Sequence, residues 1–220
     1  LKELIKENKL LGILLSIYLI TGIFIITSFE KGQFELWFNR QHRPEFDYFF
    51  FYITYLGDGI GSAILVLLLL LRRIYYGILG ALSVITSTII AQGMKRVMFS
   101  EFPRPVKFFE KKVQLHLIDG LEIHEFYSFP SGHSSGAFAV FILLCLISKD
   151  KIWTLCYFTL ALMVALSRIY LMQHFFIDTF FGAIIGTLSA VFVYFYIHYK
   201  SSLPEVNRLQ RPLLKIFDKE

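Results

Sequence analysis

The sequence predicts an all-α integral membrane protein, a bundle of six helices with one long extracytoplasmic loop. Three observations carry that prediction. Of 220 residues, 55 % are hydrophobic, and six bilayer spans of about 20 residues each would use about 120 positions. Charged residues make up 18 %, against roughly 25 % in soluble domains. The apolar residues fall into six runs, with most charges between them.

This composition excludes a disordered chain, a collagen-like chain and a disulfide-stapled miniprotein. The net charge of +5 and pI near 9.1 come from cations lying mostly between apolar runs. Membrane topology explains such cations, so nucleic acid is not an expected partner. Cys145 and Cys156 lie inside apolar runs without metal-like spacing and read as small buried hydrophobes.

The first run, 10–29, follows Lys2, Lys6 and Lys9. It is too long for a signal core and no small-x-small site follows it, so it reads as a retained span. An aromatic connector, 30–47, suits the membrane interface. The second run, 48–71, contains Leu-Gly-Asp-Gly at 56–59, which marks a kink or the mouth of the span, and ends at Arg72 and Arg73. The third, 74–94, ends at Lys95 and Arg96. A long polar stretch, 95–130, follows. The remaining runs are 136–147, 152–171 and 175–197, with a charged tail after them. Residues 1–200 are expected to form one membrane domain with core motifs at 95–178, and 201–220 a cytoplasmic tail.

Six spans place both termini on one side. With the amino terminus inside, the inner segments hold twelve Lys and Arg and the outer ones ten. Setting Lys95, Arg104 and Arg168 aside for chemistry sharpens this to twelve against seven. Both termini are therefore expected in the cytoplasm.

Three polar clusters then fall on the same, outer, side. In the third, His174 and Asp178 are four residues apart and would share a helix face. A carboxylate on one imidazole nitrogen leaves the other free as nucleophile or base. Arg168 offers a fork of donors for phosphate oxygens. The bland alternative is interfacial anchoring, with Asp178 capping the last helix. In the second, Ser131 is a natural N-cap, Gly132 permits close approach of an anion, and His133 could protonate a leaving oxygen. Its alternative is a plain Pro-Ser cap. In the first, Lys95 and Arg104 could clamp phosphate or merely snorkel, and Arg96 could do either. Together the clusters supply phosphate clamps, an acid and an oriented nucleophile. There is no cysteine cluster, HExxH or aspartate-rich loop to hold a metal. The combination reads as metal-free phosphoryl transfer through a phosphohistidine.

These motifs resemble the type-2 phosphatidic acid phosphatase superfamily, membrane lipid phosphatases that share an active site with vanadium haloperoxidases. The family pattern is Lys-x6-Arg-Pro, then Pro-Ser-Gly-His, then Ser-Arg-x5-His-x3-Asp. Pro130-Ser131-Gly132-His133 and Ser167-Arg168 with His174 and Asp178 match in full. Lys95 precedes Arg104-Pro105 by eight intervening residues instead of six, and Arg96 by seven. A two-residue insertion assigns Lys95; otherwise Arg96 substitutes for it. The resemblance implies that His174 attacks phosphorus, Asp178 orients it and His133 protonates the leaving lipid oxygen. It implies that Lys95, Arg104 and Arg168 hold the phosphate oxygens, with Ser131 and the Gly132 amide completing the cradle. No metal or cofactor is implied. The implied place is a bacterial inner membrane, with the site on the extracytoplasmic face.

Family members act on phosphatidic acid, phosphatidylglycerol phosphate, undecaprenyl pyrophosphate and lipid A phosphates. Undecaprenyl pyrophosphate or a related lipid phosphate is the first expectation. The loop at 107–127, with Lys111, Lys112, His116, His124, Phe126 and Tyr127, is expected at the head group, or else is a solvated basic loop. A lipid-to-lipid phosphotransferase or a lipid A phosphatase of the same family is the alternative function, and a degenerate non-hydrolytic lipid-binding protein a more distant one.

Overall fold

The computed structural model describes residues 7–110 and 112–215; Lys2, Lys6 and Lys111 lie outside the described residues. Every regular element among the described residues is helical. α1 (Lys9–Ser28) is a run of 20 residues with mean hydropathy 2.5, about 30 Å long and enough for a bilayer core. A short helix, α2 (Gln33–Asn39), follows Gly32, whose left-handed φ of 96° makes the turn.

The second apolar run is bent. α3 (Pro44–Ile53) starts with proline at its first turn, passes into a 3-10 turn (Thr54–Gly57) and gives way to α4 (Gly59–Arg72) at an angle of 61°. Asp58 caps α4, its Oδ1 accepting from the Ile60 N–H at 3.0 Å. The Leu-Gly-Asp-Gly signal is thus a kink. Gly57 is required there, because a Cβ would press on the His133 carbonyl oxygen and the Val164 side chain.

α5 (Ile74–Val97), α8 (Lys151–Tyr170) and α9 (Phe176–Lys200) are long and apolar enough to cross a membrane, as is α1. That makes four spans, or five when the bent α3–α4 pair counts as one. The expectation of six full spans therefore needs qualification. The fourth apolar run forms α7 (Gly132–Ser148), only 17 residues long. Its residues from Ser134 to Leu143 are all buried. It is the centre of the protein, where a helix needs no lipid-matched length because protein surrounds it.

α7 packs most extensively on α9. Gly182 and Gly186 are spaced four apart on α9, and a Cβ at either would collide with the Ser131 or Ser135 carbonyl. Small residues at this spacing let two helix backbones approach closely inside a membrane. Phe138, Phe141, Ile142 and Leu143 of α7 fill the core with Phe158 and Val164 of α8 and Val193 of α9.

The polar stretch after α5 is not a free loop. It holds α6 (Pro105–Phe109), and two backbone bonds close it, Arg104 N–H to Glu125 O at 2.8 Å and Ser128 N–H to Phe102 O at 3.1 Å. At the far end of the bundle, 3-10 turns between 203 and 215 fold back on the α4–α5 turn, where the Ile74 N–H donates to Arg211 O at 3.1 Å.

Candidate active site

Three helix ends and two loops converge at one end of the bundle. α5 delivers Lys95, the α7 start delivers Gly132 and His133, and α8 delivers Arg168 in its last turn. The α8–α9 turn carries His174. Lys95, Arg104, Gly132, His133, Arg168 and His174 all line a single cavity of about 450 Å³. Ser131 and Asp178 stand behind its wall.

His174 is not on a helix with Asp178, as their spacing predicts. It sits in the turn before α9, and Asp178 is in that helix's first turn. The turn is tight: Met172 takes a left-handed φ of 54°, and the Gln173 and His174 N–H groups both donate to Arg168 O, at 2.9 and 3.1 Å. One carbonyl thus ties the histidine to the arginine's own backbone. His174 Nδ1 lies 3.5 Å from Asp178 Oδ2, beyond a hydrogen bond, and has no other partner among the described residues. The carboxylate is held in place by the Phe175 N–H at 2.9 Å and by Ser128 Oγ at 2.5 Å. Catalytic hydrogen bonds are often long in a free enzyme and tighten when charge develops. Asp178 thus caps α9 and also stands within ion-pair distance of His174. With Nδ1 turned to Asp178, the cavity face of the ring is Nε2.

The electrostatics are one-sided. Lys95, Arg104 and Arg168 are 7, 8 and 5 % exposed, and no carboxylate lies within ion-pair distance of any of them among the described residues. Arg104 donates through Nε to Phe126 O at 3.0 Å and through Nη1 to Gln173 Oε1 at 2.8 Å. Arg168 donates through Nη1 to Thr54 Oγ1 at 2.7 Å, and its Nε is buried without a partner. Burial pulls the Arg104 guanidinium down to about 10, still charged at neutral pH. His174 is held well below the ordinary histidine range, first by burial and then by the Arg104, Lys95 and Arg168 charges. Its imidazole is neutral and its lone pair available.

Ser131 caps α7: its Oγ accepts from the Ser134 N–H at 3.4 Å and the Ser134 hydroxyl at 3.1 Å. The side chain is spent on the helix, which leaves the Gly132 and His133 N–H groups at the cavity as anion donors. Lys95 and Arg96 part company. Lys95 is buried and lines the cavity, whereas Arg96 is exposed and does not.

Several residues that hold the site are not among the fixed positions of the three motifs. Thr54 fixes Arg168, and Gln173 fixes Arg104. Glu35 of α2, buried, accepts the Phe176 N–H at 2.6 Å and so grips the head of α9 next to the His174 turn. Burial raises the Glu35 carboxyl, against the Phe176 N–H, which lowers it. An acid among the aromatics of the interfacial segment was the available signal for Glu35, whereas no local pattern marked Thr54. In the expected head-group loop, His124, Phe126 and Tyr127 line the cavities at the Lys95 end, whereas His116 lines a separate one, 3.0 Å from Asp47, and Lys112 lies over the Phe108 ring.

The sequence pattern of the PAP2 superfamily matches residues 10–202. Among solved structures, that of Aquifex aeolicus LpxE is similar with a TM-score of 0.62 and 27 % identity, covering 76 % of this chain and 97 % of that one. The transmembrane PAP2 type phosphatidylglycerolphosphate phosphatase from Bacillus subtilis shares the fold, with a TM-score of 0.57 and 21 % identity over 88 % of this chain and 98 % of that one. No curated protein sequence matches the chain.

Proposed function

This chain belongs to the PAP2 superfamily, and from that premise we propose that it hydrolyses a membrane lipid phosphate or pyrophosphate through a phosphohistidine on His174. It is a membrane lipid phosphatase. The observation that carries the mechanism is the buried imidazole of His174, 3.5 Å from Asp178 and lining one cavity with three buried cations that have no carboxylate within ion-pair distance among the described residues.

A phosphate dianion entering the cavity meets Lys95, Arg104, Arg168 and the first amides of α7. These fixed donors need no reorganisation as charge moves in the transition state. His174 Nε2 attacks phosphorus while the bond to the lipid oxygen breaks. Burial and the Arg168, Arg104 and Lys95 charges hold His133 well below the ordinary histidine range in the free site, and the bound phosphate offsets those charges and lets it take up a proton. His133 then gives that proton to the leaving oxygen, and Asp178 stabilises the positive charge growing on His174. Water then attacks phosphorus, His133 takes its proton, the P–N bond breaks and inorganic phosphate leaves. None of these steps calls for a metal.

Undecaprenyl pyrophosphate or a related lipid phosphate is our first substrate. Residues 1–200 act as one domain in a bacterial inner membrane, with six crossings, the site outside and the tail in the cytoplasm. The charge asymmetry of the loops supports that orientation.

His174→Ala, purified in detergent and folded by circular dichroism, should release phosphate at least about 10⁴-fold more slowly. Wild-type enzyme should keep its rate in EDTA and, quenched in turnover, carry alkali-stable, acid-labile label from phosphate-labelled lipid. Near wild-type activity in the variant would remove His174 as nucleophile.

A further inference from the structure

The phosphate cavity opens into a second chamber of about 780 Å³, and Gln92, Lys95, Arg104 and His124 line both. The outer chamber adds Arg96, Glu125, Phe126 and Tyr127. Arg96 follows Lys95 on α5, about 100° round the helix, so the two cations serve successive compartments. Other cations nearby are engaged. Lys107 Nζ lies 2.9 Å from Glu110 and 3.2 Å from Glu125, which also occupies the carboxylate of the outer chamber. Arg96 has no hydrogen bond or ion pair with the described residues. Directly after it come Val97 and Met98, 84 and 65 % exposed. Arg96 is thus the cation of the outer chamber left for an anionic group, with apolar side chains exposed on the other faces of the same helix end.

We propose that Arg96 and the outer chamber form a subsite for a second phosphate on the same lipid head group, next to the scissile phosphate held by Lys95, Arg104 and Arg168. This rests on the phosphatase reading above. An arginine fork suits such a group because it can bind two phosphate oxygens at once. Phosphatidic acid, with one phosphate, leaves the subsite without its ligand. A prenyl diphosphate fills it with the adjoining phosphate, and phosphatidylglycerol phosphate with a phosphodiester a few bonds away.

The test compares kcat/KM of full-length wild type and Arg96→Gln in mixed micelles on those three substrates. The ratio of each two-phosphate lipid to phosphatidic acid should fall about tenfold for at least one of them, mainly through KM. A fall confined to the prenyl diphosphate, or to phosphatidylglycerol phosphate, supports the subsite and identifies which phosphate it takes. Arg96→Lys should recover only part of the ratio, because a point charge lacks the fork. Ratios unchanged in Arg96→Gln would overturn the subsite, including the case of equal loss on all three. Wild type releasing phosphate from none of the three, nor from lipid A phosphates, would overturn the phosphatase reading itself, and release from lipid A phosphates alone would overturn only the subsite as stated.

Discussion

At one end of the bundle, Lys95, Arg104 and Arg168 are buried without a carboxylate partner. At the other end, about 36 Å away along α5, the same residue types also sit at helix ends and are treated differently. Lys149 is exposed and 2.8 Å from Glu7, Arg73 reaches Gln210 and the Tyr76 ring, and His198 meets the Tyr75 hydroxyl at 3.1 Å. Cations at helix ends in a membrane protein are ordinary, because they snorkel to the interface. Burying several of one sign is not, since each costs several kcal/mol unless an opposite charge offsets it. In the function proposed above, a substrate phosphate is that charge. Uncompensated burial, more than position at a span end, distinguishes the site from a mere boundary.

The contrast can be broken from either end. Asp178→Asn keeps an oxygen to accept the Phe175 N–H, so the α9 cap survives, while the charge behind His174 is lost. Its kcat should fall about 10³-fold with the melting temperature nearly kept. A loss below tenfold would reduce Asp178 to a helix cap. Arg104→Gln should lower kcat/KM about 10²-fold and also move the acid limb of its pH profile upward. The sign follows from His174: removing a neighbouring positive charge makes the imidazolium easier to form, so the nucleophile is lost at a higher pH as the solution is acidified. An unmoved acid limb would mean the Arg104 charge does not act on that ring. Lys149→Ala, at the far end, removes an exposed paired cation and should leave kcat/KM within about twofold. A larger loss would mean the two ends are coupled.

Much of the site is legible because its residues carry rare chemistry for a membrane chain. Ser-Gly-His at a helix start and His174 with Asp178 stand out against apolar runs. The supports do not stand out. Ser128 and Gln173 are ordinary polar residues until the fold brings them to Asp178 and Arg104. Thr54 reaches Arg168 across 114 positions, a pairing no local pattern encodes. Gly182 and Gly186 had a readable signal in their four-residue spacing, yet which partner they admit depends on α7.

The composition and the length of the apolar runs by themselves determined that the chain is helical and lives in a membrane, because a backbone in lipid must satisfy its own hydrogen bonds. The motifs between the runs also picked out residues that the fold brings to one cavity. Only the tertiary structure decided that the second run is broken, that the 17-residue α7 is the buried centre, and that Lys95 turns inward while Arg96 turns out. Those outcomes depend on which surfaces meet, and burial of a charge is a property of its neighbours, not of its place in the chain.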